Sequence, residues 1–192
     1  MEMTKVLPIK DDQILKRVED TLLNHFQYGI RNYTIFQMGK VTLLKSSDLL
    51  KLHYIDAFDE QGNVKLNTYF NSSTVLYLDP VEVDLVRYRI WRETYHVDSS
   101  WLFPSMQDQQ KHLSQHHYYQ IMRKVGDLLN LDYLGADTMR KTGAYQIYQQ
   151  THHNITFVMK LLNYTSEKRF ITYLGLDDNI NQQTLLDSID FK

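Results

Sequence analysis

The sequence predicts an α+β domain, mostly helical, with a small antiparallel sheet on one side. Apolar residues recur at helical spacing through most of the chain, whereas residues 58–78 switch to alternation bounded by turn residues. No internal repeat, low-complexity tract or linker divides the 192 residues, so they are read as one domain with at most a small appendage. A chain of this length buries most of its unfolded surface, and a helical body with a sheet at one side is a stable way to do so.

In chain order, Val6-Leu7-Pro8-Ile9 reads as an extended lead-in to the first helix. Asp11-Asp12 sits at that helix's start, where negative charge suits the dipole. Ile14, Val18, Leu22 and Leu23 give it a buried stripe. Arg31-Asn32-Tyr33 opens a second helix through Ile35, Phe36 and Met38, and Ser46-Ser47-Asp48 is read as the cap of a short third, Leu49 to Leu52. Phe58 to Asn63 is turn chemistry, after which Val64, Leu66, Thr68 and Phe70 alternate as in a strand. Ser72-Ser73 turns the chain into Thr74 to Leu78, its antiparallel partner in a sheet of two or three strands. Asp79-Pro80 starts a helix carrying Val81, Val83, Leu85, Val86, Ile90 and Trp91, with Pro in the favoured first turn. Beyond Trp101 the pattern predicts helices over 113–129, 136–150, 154–162 and 167–174.

Composition narrows the function. With no cysteine, the chain has no disulfide framework, no thiolate chemistry and no Cys-based zinc site. No apolar run reaches the ~18–20 residues of a membrane span, and Met1 to Lys5 lacks the apolar core of a signal peptide. The expectation is a cytoplasmic protein with no membrane partner. A net charge of −2 argues against a stand-alone, high-affinity nucleic-acid binder, so any DNA affinity rests on local clusters. The clusters are Arg123-Lys124, Arg140-Lys141 and Lys168-Arg169, and each is otherwise an ordinary solvated helix face. His112 and His116 fall at i,i+4 on the predicted helix, with His117 adjacent and His152-His153 as a second pair. No His-Glu-x-x-His arrangement or matching carboxylate accompanies them, so neither a metal nor a cofactor is expected.

The most informative segment runs Gly135-Ala136-Asp137-Thr138-Met139-Arg140-Lys141-Thr142-Gly143, then Leu161-Leu162-Asn163-Tyr164-Thr165-Ser166, then Arg169-Phe170-Ile171-Thr172-Tyr173-Leu174-Gly175. This resembles the second signature of the tyrosine recombinase (phage integrase) catalytic domain. There, His-x-x-Arg opens a helix, Leu-Gly-His-Ser follows about two dozen residues later, and a nucleophilic Tyr comes nine residues after that His. Tyr164 and Tyr173 keep the spacing of nine, and Arg140 takes the Arg seat. Upstream, Thr42 to Leu50 resembles the first signature, Thr-Gly-Leu-Arg-Ile-Ser-Glu/Asp-Leu-Leu, with Lys45 at the first Arg and Leu43 at the Gly. The expected hairpin follows Gly62, and Trp101-Leu102-Phe103-Pro104-Ser105 resembles the family's Leu-Phe-Pro element. The resemblance spans about Val6 to Leu176, which assigns residues 1–176 to the catalytic domain and 177–192 to a C-terminal helical tail.

The resemblance implies a tyrosine that attacks a DNA phosphodiester and forms a 3′-phosphotyrosine, which a hydroxyl later reverses. Two arginines clamp the charge developing on the phosphorane, a hairpin Lys protonates the leaving oxygen, and His residues assist proton transfer. Against that set, Tyr173 and Arg140 are present and Lys45 keeps charge without the bidentate fork. Asp137 stands where the first His belongs, where a carboxylate repels a phosphate and offers Arg140 an alternative partner. Tyr164 takes the second His/Trp seat, where a phenol still donates a hydrogen bond. The hairpin has no tip Lys, and Lys65 lies too early. The remaining DNA contacts implied are Lys141, Arg123, Lys124, His116, His117, Lys168 and Arg169, although Tyr118 and Met122 of the same helix also suit a core.

The expectation is therefore an integrase-like site-specific recombination protein with impaired chemistry. The alternatives are a non-catalytic DNA-binding or regulatory module reusing the fold, and a remnant or adaptor with no DNA role. The family usually adds an N-terminal helical domain that closes a clamp on DNA. This chain begins at the catalytic domain, so DNA binding on its own is expected to be weak and salt-sensitive. In the tail, Leu185, Leu186, Ile189 and Phe191 keep helical spacing. The resemblance implies packing on a neighbouring protomer, and a helix folded back on its own domain fits the residues equally.

Overall fold

The computed structural model describes residues 5–71 and 74–177. Its elements are α1 (Asp12–Asn24), α2 (Gly29–Thr42), α3 (Ser46–Leu49), α4 (Tyr54–Ala57), β1 (Asn67–Asn71), β2 (Thr74–Tyr77), a 3-10 turn (Asp79–Val81), α5 (Glu82–Thr94), α6 (Gln115–Leu129), α7 (Thr138–Gln150), α8 (Ile155–Leu161) and α9 (Glu167–Leu174). β1 and β2 pair antiparallel, Asn67 opposite Tyr77, and the register is interrupted between Tyr69 and Asn71. The molecule is thus mostly helical with one small sheet, as expected, and the sheet has two strands among the described residues. The Ser72-Ser73 turn and the tail 178–192 lie outside the described residues.

Four helix starts follow from the capping residue that precedes them. Asp11 accepts from the Ile14 amide, Ser114 from His117, Asn154 from Phe157 and Ser166 from Arg169. The Ser114 cap explains why the helix expected from 113 begins at Gln115; the Leu113 amide is committed instead to the Phe103 carbonyl. His112 accordingly lies outside α6, and its i,i+4 relation to His116 on one helix face is lost. The helix expected from 136 starts at Thr138, whose hydroxyl accepts from the Gly135 amide. Ser46, Ser47 and Asp48 lie inside α3 rather than capping it. Alternation from Val64 marked the strand too early, because Val64 makes only an isolated bridge to Phe58. α4 was not anticipated; at its start the Asp56 carboxylate accepts from the His53 amide, and the Asp56 amide donates to the His53 carbonyl.

α2 is the central helix, buried on nearly every side from Arg31 to Gly39, and it packs against α1, α5 and α7. Its crossing with α7 is unusually close. A Cβ on Gly143 would lie 2.7 Å from the Lys40 carbonyl carbon and 2.8 Å from its Cα. The main core gathers Leu15, Val18, Leu22, Ile35, Phe36, Leu85, Tyr88, Tyr118 and Met122 among others. A second core, Leu43, Ala144, Val158, Leu162, Phe170, Leu174 and Leu176, joins α7, α8 and α9. The chain passes from one to the other at the end of α2. Leu43, in left-handed backbone at φ 54°, enters the second core, and Leu44 enters the first. Lys45, next in the chain and exposed, stands at the seam.

Two arginines are buried with no carboxylate partner among the described residues. Arg31 donates to the Pro104 carbonyl and the Asn32 side chain; Arg92 donates to the carbonyls of Ser99, Trp101 and Leu102. Arg92 also stands 4.8 Å from the Tyr54 ring centroid. Hydrogen bonds to a charged donor each contribute about 1.5–3 kcal/mol, so Arg92 organises the loop 99–102 that follows α5. Arg92→Met, similar in reach but without donors, is expected to lower stability by about 2–3 kcal/mol, measured by urea unfolding.

Candidate active site

Each candidate side chain is placed by a different local cause. The α2–α3 junction presents Lys45, the start of α7 carries Asp137, Arg140 and Lys141, the α8–α9 loop holds Tyr164, and α9 carries Tyr173. The Arg140 Nε donates to the Leu43 carbonyl at 2.6 Å, a bond that fixes the guanidinium at the seam between the two cores. Its Cζ lies 5.9 Å from the Tyr173 ring centroid. Tyr164 packs on Tyr173 with centroids 5.1 Å apart, and Phe170 backs both rings. The Tyr173 hydroxyl is buried and makes no hydrogen bond of ordinary geometry. Burial pushes its pKa well up; the Arg140 charge and a poorly aligned approach to the hydroxyl pull the other way, while Tyr164 and Asp137 add to the rise. Burial likewise raises Tyr164, against the pull of Arg140.

Beside this pair opens a pocket of about 430 Å³ lined by Lys45, Arg140, Leu162, Asn163, Tyr164, Thr165, Ser166 and Arg169. Three of these side chains are cationic and none is a carboxylate, a combination that suits an anion. Asp137 is not in the lining: its carboxylate accepts from the Ser46 amide at 2.9 Å, and the Ser46 hydroxyl accepts from Gln115. The alternative of an Asp137–Arg140 ion pair is not seen among the described residues: the Asp137 carboxylate closes the start of α3, and the Arg140 Nε donates to Leu43. Nothing in the spacing pointed to the Gln115–Ser46–Asp137 chain, because it joins residues far apart in sequence.

The sequence-predicted DNA contacts divide. Arg169 forms part of the pocket, and Lys168 beside it is exposed. His116 and His117 occupy the first turn of α6, next to Gln115, which reaches Ser46. His117 is held below the usual histidine range, first by burial and then by the charges of Arg31 and His116. Arg123 and Lys124 lie about 9–12 Å further along α6, where Arg123 donates to the Asp132 carbonyl and Lys124 stands over the Phe26 ring. Tyr118 and Met122 are core residues with no exposed surface. Lys65 turns away from the hairpin and donates to the Ile55 carbonyl. Lys141 turns inward too, donating to the carbonyls of Val6 and Tyr173. No group of three metal-ligating side chains is found among the described residues, and no helix among them is long and apolar enough to cross a membrane.

Lys141 gives a test of this packing by pH. Burial first, and then the Lys5 charge, lower its pKa from 10.5 to about 8, against the pull of Asp137. The unfolded chain therefore binds more protons than the native one between those values, and stability rises with pH across that window. Thermal melts are expected to show this rise between about pH 8 and 9.5, below the ordinary range of tyrosine. In Lys141→Met the rise should be smaller; an identical slope would place the ammonium in solvent.

The sequence matches the family model described as the Phage integrase family over residues 12–179. Among curated proteins, it is 26% identical over 175 residues to "Probable integrase/recombinase YoeC" of Bacillus subtilis (strain 168), covering 91% of this chain and 92% of that one. Among solved structures, the XerH site-specific recombinase bound to palindromic difH substrate, a post-cleavage complex, superposes with a TM-score of 0.64 at 19% identity, over 96% of this chain and 53% of that one. A lambda integrase(75-356) dimer bound to a COC′ core site gives 0.58 at 13% identity, over 91% and 61%. At these identities the likeness is one of fold, and this chain spans about half of the XerH chain it matches. With the tyrosine, the arginine and the junction lysine gathered beside one cationic pocket, and the family model covering most of the length, the chain belongs to the phage integrase family.

Proposed function

We propose that this protein takes part in site-specific DNA recombination, using Tyr173 to break and rejoin a DNA phosphodiester, with chemistry slower than a full residue set supports. The observation that carries the reading is Tyr173 packed against Tyr164 and Arg140, beside a cationic pocket with no carboxylate in its lining among the described residues. In this reading the scissile phosphate lies in the pocket, and Arg140 with Lys45 offsets the charge that develops on it. Arg169, Lys168, His116 and His117 then meet the flanking backbone. The Tyr173 phenol gives up its proton to water as its oxygen attacks phosphorus, the 5′ oxygen leaves and takes a proton from water, and the 3′ phosphate stays on Tyr173 until a hydroxyl reverses the step.

The chemistry is slowed for three reasons. Lys45 replaces a planar fork with a point charge, no hairpin lysine stands ready to protonate the leaving oxygen, and the Tyr173 hydroxyl starts buried and hard to ionise. Removing one preorganised donor costs about 10²–10³ in rate. Restoring the fork by Lys45→Arg is accordingly expected to accelerate cleavage by about tenfold or more, read as adduct formed against time. The same buried hydroxyl favours a second reading, a non-catalytic DNA-binding module.

One experiment decides between them. The protein is incubated with a duplex carrying a bridging phosphorothiolate, whose leaving group needs no protonating lysine. A covalent protein–DNA adduct on Tyr173 supports the recombination reading. A gel shift at low salt without adduct supports the binding module, and neither result removes DNA from the account.

A further inference from the structure

Lys141 and residues 5–10 have no part in the chemistry just described, yet they converge on the end of α9 that carries Tyr173. The Lys141 Nζ donates to the Tyr173 carbonyl at 3.0 Å and to the Val6 carbonyl at 2.7 Å, and it stands 4.4 Å from the Tyr173 ring centroid. Lys5 pairs with Asp177 at 3.0 Å, and Asp177 also accepts from the Thr172 hydroxyl. Lys10 donates to the Gly175 carbonyl. Leu7 packs directly on the helix end, since a Cβ at Gly175 would lie 2.9 Å from its Cδ2. The segment is itself fastened to the body, by the Leu7 amide to the Tyr133 carbonyl and by the Ile9 amide to the Thr142 hydroxyl.

The last carbonyls of a helix have no partner within it, and cations are favoured there. Here Lys141 takes one of those carbonyls, that of Tyr173, and Lys10 takes the carbonyl of Gly175 just past the helix end; both lysines come from outside α9. We propose that Lys141 is a positioning residue: with the segment Lys5 to Lys10 it forms a strap that sets the placement of Tyr173 relative to Arg140, and it does not contact DNA. The strap acts on the main chain of the very residue whose side chain reacts. A shift of α9 therefore moves the phenol, while the pocket of Lys45, Arg140 and Arg169 stays as it is. This rests on the reading of Tyr173 as nucleophile, but the strap itself is a matter of structure and is tested separately.

The variants are Lys141→Met, which keeps the stem and loses both donors, and Lys141→Arg, which retains donors of similar reach. Two measurements are made on the full chain. Hydrogen exchange, without DNA, follows the amides of residues 173–176. In Lys141→Met they are expected to exchange about tenfold faster, with α1 and α5 unchanged and Lys141→Arg restoring protection at least in part. Adduct formation is then measured against concentration of the phosphorothiolate duplex. The maximal rate is expected to fall by about 10–100-fold, because a misplacement near 1 Å costs that much. The half-saturating DNA concentration and its salt dependence should stay within about twofold of the parent, since no phosphate contact is lost. Unchanged exchange at 173–176 overturns the strap. A weaker half-saturation at an intact maximal rate makes Lys141 a DNA contact and overturns it as well, as does a faster rate, which would make the strap a brake. If the parent forms no adduct, the nucleophile reading fails while the exchange result still decides the strap.

Discussion

Tyr173→Phe is expected to abolish the covalent adduct with a phosphorothiolate duplex, a loss of at least about 10³-fold, while leaving the protein as stable as before or more so. Both halves follow from one hydroxyl. In the proposed chemistry its oxygen becomes the bond to phosphorus, and its ring centroid lies 5.9 Å from the Arg140 guanidinium carbon. In the folded chain the same hydroxyl is buried without a well-made hydrogen bond, and burial pushes its pKa up. A buried polar group in that state costs about 1–3 kcal/mol, so its removal relieves a penalty while the ring keeps its contacts with Tyr164 and Phe170. Melting should then stay level or rise by about 2–4 °C per kcal/mol regained. A loss of adduct together with a lower melting temperature would instead give the hydroxyl a structural partner and weaken the case for it as nucleophile.

The largest effect on the fold is expected at Gly143. Replacing it by Ala would drive a methyl group into the main chain of Lys40 on α2, 2.7 Å from the carbonyl carbon and 2.8 Å from Cα. The neighbour is backbone in the central helix, so no rotamer change relieves the clash, and α2 and α7 must part. Gly39 meets the Met139 side chain across the same crossing, so separation there strips contacts along both helices. A penalty of about 3 kcal/mol, the upper end for overpacking, lowers melting by about 6–12 °C at this chain length. The adduct should disappear as well, because α7 carries Arg140 and the Arg140–Leu43 bond spans the widened gap. A melting change under about 2 °C would mean that the two helices sit further apart than described.

Sequence pattern specifies an element wherever a local rule has a local cause. The helix over 167–174 was expected with the boundaries observed, because Ser166 caps it and Gly175 closes it in left-handed backbone at φ 60°. α2 was legible only as apolar, since a helix buried on nearly every side has no polar face to mark its orientation. α4 escaped notice because four residues carry no periodicity. The strand start was misplaced because alternation begins at Val64, which bridges to Phe58, whereas pairing across the hairpin begins with the Leu66 carbonyl accepting from the Leu78 amide.

For the site, sequence was enough for the identities and the spacing: Tyr164 nine residues before Tyr173, Arg140 at the start of its helix, Lys45 in the first signature. Such spacing is local and survives as written. It left open which groups each side chain would face, and there the folded chain differs from expectation. Asp137 holds the Ser46 amide rather than Arg140, Lys141 holds the Tyr173 and Val6 carbonyls, and Arg123 turns to the Asp132 carbonyl at the other end of α6. The first two join residues between 32 and 135 positions apart. A polar or charged group taken out of water accepts whatever partner the packing of distant elements brings within reach. That choice is made by how α2, α7 and α9 close together, and no pattern within one segment records it.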